Sequence, residues 1–308
     1  MRTKELNMKK VFIATTTFGK DDPAVFDVLK KAGIEHVFNS QRRPLTEVEV
    51  KEVLSQGIYD GLLAGLEPLT KDVLLQAKGL KVISRVGVGM DNVDREAAQK
   101  IGIKVFNTPG VLTDSVAELT LGFMLSALRK IPLLDRRMHN GQWEKLSGAL
   151  LKGKIVGIIG FGHIGQRVAS LVKAFGAEVF FYDVCKIDSP DAKQVGFEAL
   201  IKTADIISLH SSGKECLISG QAIECMKEGV IIVNTSRGAL IDETALAQGL
   251  SSGKVACAAL DVFRQEPYQG LLLKFDNVIM TPHIGSYARE ARILMEKMAV
   301  ENLIKGLL

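Results

Sequence analysis

The chain has 308 residues, 47% hydrophobic and 24% charged, with a formal net charge of +4. That composition supports two hydrophobic cores and excludes a disordered, collagen-like or disulfide-scaffold class. The charge is too small and too dispersed for a nucleic-acid stripe, and no apolar segment is long enough to read as a membrane span or signal peptide.

In chain order, MRTKELN reads as a loose polar tail with Met8 as a second candidate start. Short apolar runs then alternate with helical patterns, with strands expected at Val11–Ala14, Glu35–Phe38, Gly61–Ala64, Val82–Arg85 and Lys104–Asn107. Alternation of this kind builds a parallel sheet covered by helices on both faces. Asn107-Thr108-Pro109-Gly110 breaks the pattern and reads as a hinge. The following helix, Ser115 to about Arg129, is apolar nearly all round and is expected to be buried between larger bodies.

Next comes KIVGIIGFGHIG, Lys154–Gly165, an apolar strand running into Gly160, Gly162 and Gly165 and then a helix from about Ile164 to Phe175. Gly160 allows the tight turn, Gly162 lets backbone approach a pyrophosphate, and Gly165 lets helix and strand pack closely. The helix start offers unpaired N–H groups to phosphates. A second strand, Glu178–Tyr182, ends in Asp183, about 18 residues past the last glycine and near the spacing of roughly 20 for a ribose-binding acid. A carboxylate there accepts hydrogen bonds from the ribose hydroxyls of NAD and repels the extra phosphate of NADP, so the cofactor is read as NAD.

Further strands are expected at Asp205–Leu209, Val230–Asn234, Val255–Leu260 and Val278–Met280, with Asp242 as a helix N-cap. The last helix, about Tyr287 to Lys305, has no strand after it and is expected to return to the first domain. The fold class is therefore α/β with two Rossmann-like domains. Residues 1–108 and 284–308 form a discontinuous substrate domain, and residues 109–283 form an inserted NAD-binding domain, with closure about Pro109 and Pro282. Cys185, Cys216, Cys225 and Cys257 form no CxxC pair, have no histidine cluster at metal spacing, and read as reduced, partly buried thiols. No metal is expected, and the location is read as cytoplasmic.

Three charged groups stand at strand ends of the second domain, where open α/β sheets hold their ligands: Arg237 in NTSRGALIDE, Glu266 in LDVFRQEP and His283 in TPHIGS. Singly, each reads equally well as a surface cation, a turn residue and a loop histidine. Together, in this order after the glycine loop, they make the chain resemble the NAD-dependent D-2-hydroxyacid dehydrogenases. SRVGVGMDNVD (Ser84–Asp94), GIKVFNTPG (Gly102–Gly110), SVAELTLGFML (Ser115–Leu125) and NGQWEKL (Asn140–Leu146) most resemble the D-3-phosphoglycerate dehydrogenase branch.

The resemblance implies His283 as acid and base, Glu266 on its other ring nitrogen as stabiliser of the imidazolium, and Arg237 as the clamp on the substrate carboxylate or carbonyl. Glu266 argues against a formate dehydrogenase, where glutamine would be expected. It further implies cofactor contacts at Gly160, Gly162, His163, Ile164, Gly165, Asp183, Ser211, Thr235, Asp261 and Val88. Substrate contacts would come from Arg85, Val86, Gly87, Arg237 and Lys145, the last from a second subunit of a homodimer. D-3-phosphoglycerate, and with it serine biosynthesis, is the first substrate reading. Glyoxylate, hydroxypyruvate or D-lactate is the second, and an NAD(H)-sensing corepressor-like scaffold stands as the alternative of another class. Two departures bear on this: the loop after His210 is about three residues shorter than the family pattern, and Leu63–Leu66 lacks the arginines that phosphoglycerate enzymes often carry there. Arg42, Arg43, Arg85 and Lys145 remain as cations for a substrate phosphate. With no regulatory domain after Leu308, feedback inhibition by serine is not expected.

Overall fold

In a computed structural model the chain is described over residues 8–308, so the tail read over residues 1–7 lies outside the described residues. It divides into two compact units, Met1–Leu112 with Tyr287–Leu308, and Thr113–Ser286.

The first unit runs β1 (Lys9–Ile13), α1 (Ala24–Lys31), β2 (Ile34–Phe38), α2 (Glu47–Ser55), β3 (Gly61–Ala64), α3 (Lys71–Gln76), β4 (Val82–Arg85), α4 (Arg95–Lys100) and β5 (Lys104–Phe106). Its five strands are all parallel in the order β2-β1-β3-β4-β5, a flavodoxin-like winding. Strands buried on both faces must be apolar throughout, and β3, Gly-Leu-Leu-Ala, is buried at every position. Helix starts are set by side-chain caps: Thr46 forms a capping box with Glu49, Thr70 caps α3 and Asp94 caps α4.

The second unit runs α5 (Thr113–Arg129), α6 (Ile131–His139), β6 (Ile155–Ile159), α7 (His163–Ala174), β7 (Glu178–Tyr182), β8 (Lys193–Gln194), α8 (Phe197–Thr203), β9 (Ile206–Leu209), α9 (Gly220–Cys225), β10 (Val230–Asn234), α10 (Glu243–Ser252), β11 (Val255–Leu260) and β12 (Val278–Met280). Its seven strands lie in the order β12-β11-β10-β9-β6-β7-β8, the Rossmann winding with one added strand. The order reverses between β6 and β9, so the loops after Ile159 and Leu209 stand side by side at the switch point. Helix α11 (Arg289–Leu307) closes the first unit, packing on β3, β4 and β5 with Ala299, Val300 and Leu303 buried.

Two expectations change. Helix α5 buries one face, Val116, Ala117, Thr120, Phe123, Met124, Ala127 and Leu128, against α7, β10 and β11 of its own unit, and its other apolar residues are only partly buried. Cys185, Cys216 and Cys225 are exposed free thiols, because all three sit in loops or at a helix end. Cys257, half-buried in β11, has its thiol pushed up to about 12 by burial. The two-residue strand β8 carries no apolar run and was not legible. Among the described residues no helix is long and apolar enough to cross a membrane.

Candidate active site

The glycine loop is held by its neighbours at Gly160, Phe161 and Gly165. Gly160 has φ +91°, and a Cβ there would come within 2.7 Å of the His210 carbonyl carbon and the Ser211 nitrogen, so only glycine lets the two switch-point loops meet. A Cβ on Gly165 would collide with the Gly160 carbonyl, which is the close strand–helix packing read from the sequence. Above Gly162, by contrast, there is open space. Phe161 points inward and stacks on Phe181 with ring centroids 3.7 Å apart, pinning the loop from the core.

These residues fit a dinucleotide. The first-turn N–H groups of α7 have no intrahelical acceptor, and a Cβ on the Gly162 that precedes them would meet no atom within 4 Å. Asp183 accepts from Phe161 N at 2.7 Å through Oδ2 and from Cys185 N at 2.9 Å through Oδ1. Each carboxylate oxygen therefore keeps a lone pair for a ribose hydroxyl. Ser211 uses its Oγ to accept from Gly213 N, and Thr235 shares a 2.8 Å hydroxyl bond with Thr120. His210 pairs Nε2 with Ser208 Oγ at 2.8 Å, and burial pulls its pKa down to about 3, so it stays neutral near pH 7.

At the same C-terminal edge of this parallel sheet, the loops after β10, β11 and β12 deliver the charged trio. Asn234 ends β10 fully buried; its Oδ1 accepts from Ser236 N and its Nδ2 donates to the Arg237 carbonyl, so the turn bearing Arg237 is tied from within. Gly238 lies against the Phe263 carbonyl so closely that any Cβ would collide with that backbone, which brings the Arg237 loop onto the Glu266 loop. Glu266 accepts from Phe263 N at 3.0 Å through Oε1, and its Oε2 is 2.7 Å from His283 Nδ1. Burial alone would raise the Glu266 carboxyl. The hydrogen bond and charge of His283, the Phe263 N–H and the charge of Arg237 outweigh it and hold Glu266 below its ordinary value. An ionised carboxylate only accepts, so Nδ1 carries the proton and Nε2 is left to exchange one with a ligand.

His283 has φ +55°, a left-handed conformation that costs a non-glycine residue about 1 kcal/mol or more. Asp261, 1% exposed, holds it there: Oδ1 accepts from Thr281 Oγ1 at 2.5 Å and Ile284 N at 2.7 Å, and Oδ2 accepts from Gly285 N at 2.7 Å. The sequence reading had Asp261 as a cofactor contact; the bonds that occupy its carboxylate go to the loop on both sides of His283. Sequence reasoning also missed Gly238 and Phe161, since a glycine after an arginine and a phenylalanine between glycines carry no signal until their neighbours are known.

Arg85, Val86, Gly87 and Val88 belong to the first unit, at the end of β4. Gly87 has φ +148°, and its N donates to Thr108 Oγ1 at 3.1 Å. Lys145 is exposed in the stretch 140–150 of the second unit, which has neither helix nor strand. Of the other candidate cations, Arg43 is engaged bidentately by Glu49.

A family model described as D-isomer specific 2-hydroxyacid dehydrogenase, NAD binding domain, matches residues 121–285. The chain is 44% identical over 249 residues to a hydroxypyruvate reductase of Thermotoga maritima, covering 78% of this chain and 81% of that one. It is 40% identical over 296 residues to a D-3-phosphoglycerate dehydrogenase of Archaeoglobus fulgidus, covering 89% of this chain but only 56% of that one. The crystal structure of a glyoxylate reductase from Paecilomyes thermophila superposes with a TM-score of 0.87 at 27% identity, covering 98% and 96% of the two chains.

Proposed function

The chain belongs to the NAD-dependent D-isomer specific 2-hydroxyacid dehydrogenase family, and from that premise we propose that Arg237, Glu266 and His283 carry hydride exchange at C2 of a small D-2-hydroxy acid. The observation that supports this most is the 2.7 Å bond between Glu266 Oε2 and His283 Nδ1. NAD, when bound, supplies or takes up the hydride; Gly160, Gly162, His163, Ile164, Gly165 and Asp183 would hold its phosphates and ribose, with Val88, Ser211, Thr235 and Asp261 as further proposed contacts. In the direction of reduction His283 Nε2 gives a proton to the carbonyl oxygen, and in oxidation it removes one from the hydroxyl. Glu266 stabilises the imidazolium through Nδ1. Arg237 binds the carboxylate through a charge-assisted fork and fixes which face of C2 is presented.

Two predictions follow from these roles. Arg237→Lys is expected to raise KM for the 2-oxo acid by about tenfold or more, because an ammonium lacks the planar fork; a loss confined to NADH binding would remove Arg237 from the substrate. Glu266→Gln removes the carboxylate that accepts from Nδ1, so turnover in 2-oxo acid reduction is expected to fall about tenfold or more with NADH binding nearly unchanged. Wild-type kcat in this variant would reject the pairing.

Two substrate readings divide the support. The runs Ser84–Asp94, Gly102–Gly110 and Asn140–Leu146 favour D-3-phosphoglycerate and 3-phosphohydroxypyruvate, hence serine biosynthesis. Apolar Leu63 and Leu66 at the end of β3 favour hydroxypyruvate, glyoxylate or D-lactate, none of which needs a dianion site. A cytoplasmic homodimer is part of the proposal: no residue of α6 is buried, and Ile131, Met138 and Trp143 are exposed, Trp143 at 80%. An NADH-oxidation panel with phosphohydroxypyruvate, hydroxypyruvate, glyoxylate and pyruvate tests the reading. Protein that binds NADH and reduces none of them would favour the corepressor-like scaffold.

A further inference from the structure

Helix α10 is entered through two acids, and their side chains serve different segments. Asp242 is the N-cap, its Oδ1 accepting from Thr244 N at 3.0 Å and Ala245 N at 3.1 Å. Glu243, the first helical residue, is half-buried and reaches away from the helix: its Oε1 accepts from Arg264 N at 3.0 Å, 21 residues on. Two successive amides in the loop after β11 thus take opposite partners. Phe263 N donates to Glu266 Oε1 at 3.0 Å, and the next N–H, that of Arg264, donates to Glu243. Phe263 itself is well packed, its carbonyl under Gly238 and its ring stacked on Tyr268 with centroids 4.2 Å apart. Arg264, Gln265, Glu266 and Pro267 are all exposed, so hydrogen bonds rather than core packing set the path of this turn.

We propose that Glu243 is a positioning residue for proton exchange: by holding the Arg264 amide it orients the turn 263–266, and with it the Glu266 carboxylate against His283 Nδ1. This rests on the hydride-transfer reading above, in which Glu266 and His283 work as a pair. A carboxylate accepting from a backbone N–H makes a charge-assisted bond, stronger than one between neutral groups. The pair it serves is a single 2.7 Å contact, and a misplacement of about 1 Å can cost on the order of 100-fold in rate. The Arg237 turn, which precedes α10 in the chain, has a tie of its own in the 2.8 Å bond from Asn234 Nδ2 to the Arg237 carbonyl. Loss of Glu243 therefore bears on kcat and spares the KM of the 2-oxo acid.

The test is kcat and KM for hydroxypyruvate and 3-phosphohydroxypyruvate in wild type, Glu243→Ala, Glu243→Gln and Asp242→Ala, with kcat taken per NADH-binding site so that loss of folded protein cancels. Glu243→Ala is expected to lower kcat about tenfold with KM within about twofold of wild type. Glu243→Gln keeps an oxygen that accepts from Arg264 N and is expected to restore most of that rate. Asp242→Ala removes the cap of the same helix without touching Arg264, and is expected to lower the unfolding temperature while kcat per site stays at the wild-type value. Wild-type kcat in Glu243→Ala, a Glu243→Gln variant as slow as Glu243→Ala, or an equal loss in Asp242→Ala overturns the proposal, the last by showing that the site needs α10 as a whole. Wild type that binds NADH and reduces neither acid overturns the hydride-transfer reading, which is a separate result. The tether is then decided by the ring-nitrogen NMR shifts of neutral His283: wild type and Glu243→Gln are expected to keep the proton on Nδ1 and Glu243→Ala to mix the two tautomers, whereas one tautomer in all three overturns it.

Discussion

His283→Ala is expected to lower turnover in 2-oxo acid reduction by about 10²- to 10⁴-fold while NADH binds nearly as in wild type. The size follows from the proton-exchange role proposed for this imidazole: Nδ1 is committed to Glu266 at 2.7 Å, which would leave Nε2 for the reacting oxygen. His210, the other histidine on a strand end of this unit, cannot substitute, because burial brings its pKa to about 3 and Ser208 holds its Nε2. Cofactor affinity should survive because the glycine loop and Asp183 are built by other strands, β6 and β7. Steady-state reduction rates and a fluorescence titration with NADH separate the two quantities. A variant at wild-type turnover would remove His283 from the mechanism, and a variant that no longer binds NADH would mean the loop has a different task.

Asp261→Ala is expected to be the second most damaging change, in stability as well as turnover. Three donors converge on this carboxylate, the Thr281 hydroxyl and the Ile284 and Gly285 N–H groups. Each buried donor left unpaired costs about 1–3 kcal/mol, so a loss of roughly 3–5 kcal/mol is expected even with some rescue by water. The same bonds keep His283 at φ +55°. Freed from them, the residue should relax toward an ordinary conformation and carry its ring away from Glu266, with turnover falling about 100-fold in the protein that stays folded. Thermal unfolding and kcat measured on one preparation check both parts. Wild-type kcat in a destabilised variant would show that Asp261 serves the fold and leaves the histidine's aim to other contacts.

Much of the architecture was legible before any coordinates. β3, β4, β7, β10, β11 and β12 begin and end where their apolar runs do, since a parallel strand covered on both faces must be apolar along its whole length and stop at the first loop residue. Helix α7 starts at His163, straight after Gly162, with Gly165 already in its first turn. Asp242 caps α10 as expected, accepting from Thr244 N and Ala245 N. The failures were of another kind. Helix α5 looked apolar on every side, yet which side is buried depends on where α7, β10 and β11 lie. The cysteines were assigned burial from their chemistry, while loop position exposes three of them.

The candidate site divides along the same line. The chain order of glycine loop, Asp183, Arg237, Glu266 and His283 identified the kind of chemistry, because nucleotide binding and proton exchange each demand particular residue types at strand ends, and strand ends can be read from local hydrophobic patterning. Which partner each group takes could not be read that way. Glu266 meets His283, Asp261 grips the loop around it and Gly238 admits the Phe263 carbonyl through contacts between segments distant in sequence. Spacing along a chain sets which residues reach an edge of the sheet. Only the packing of strands side by side, which aligns residues with no local relation, decides which of them touch.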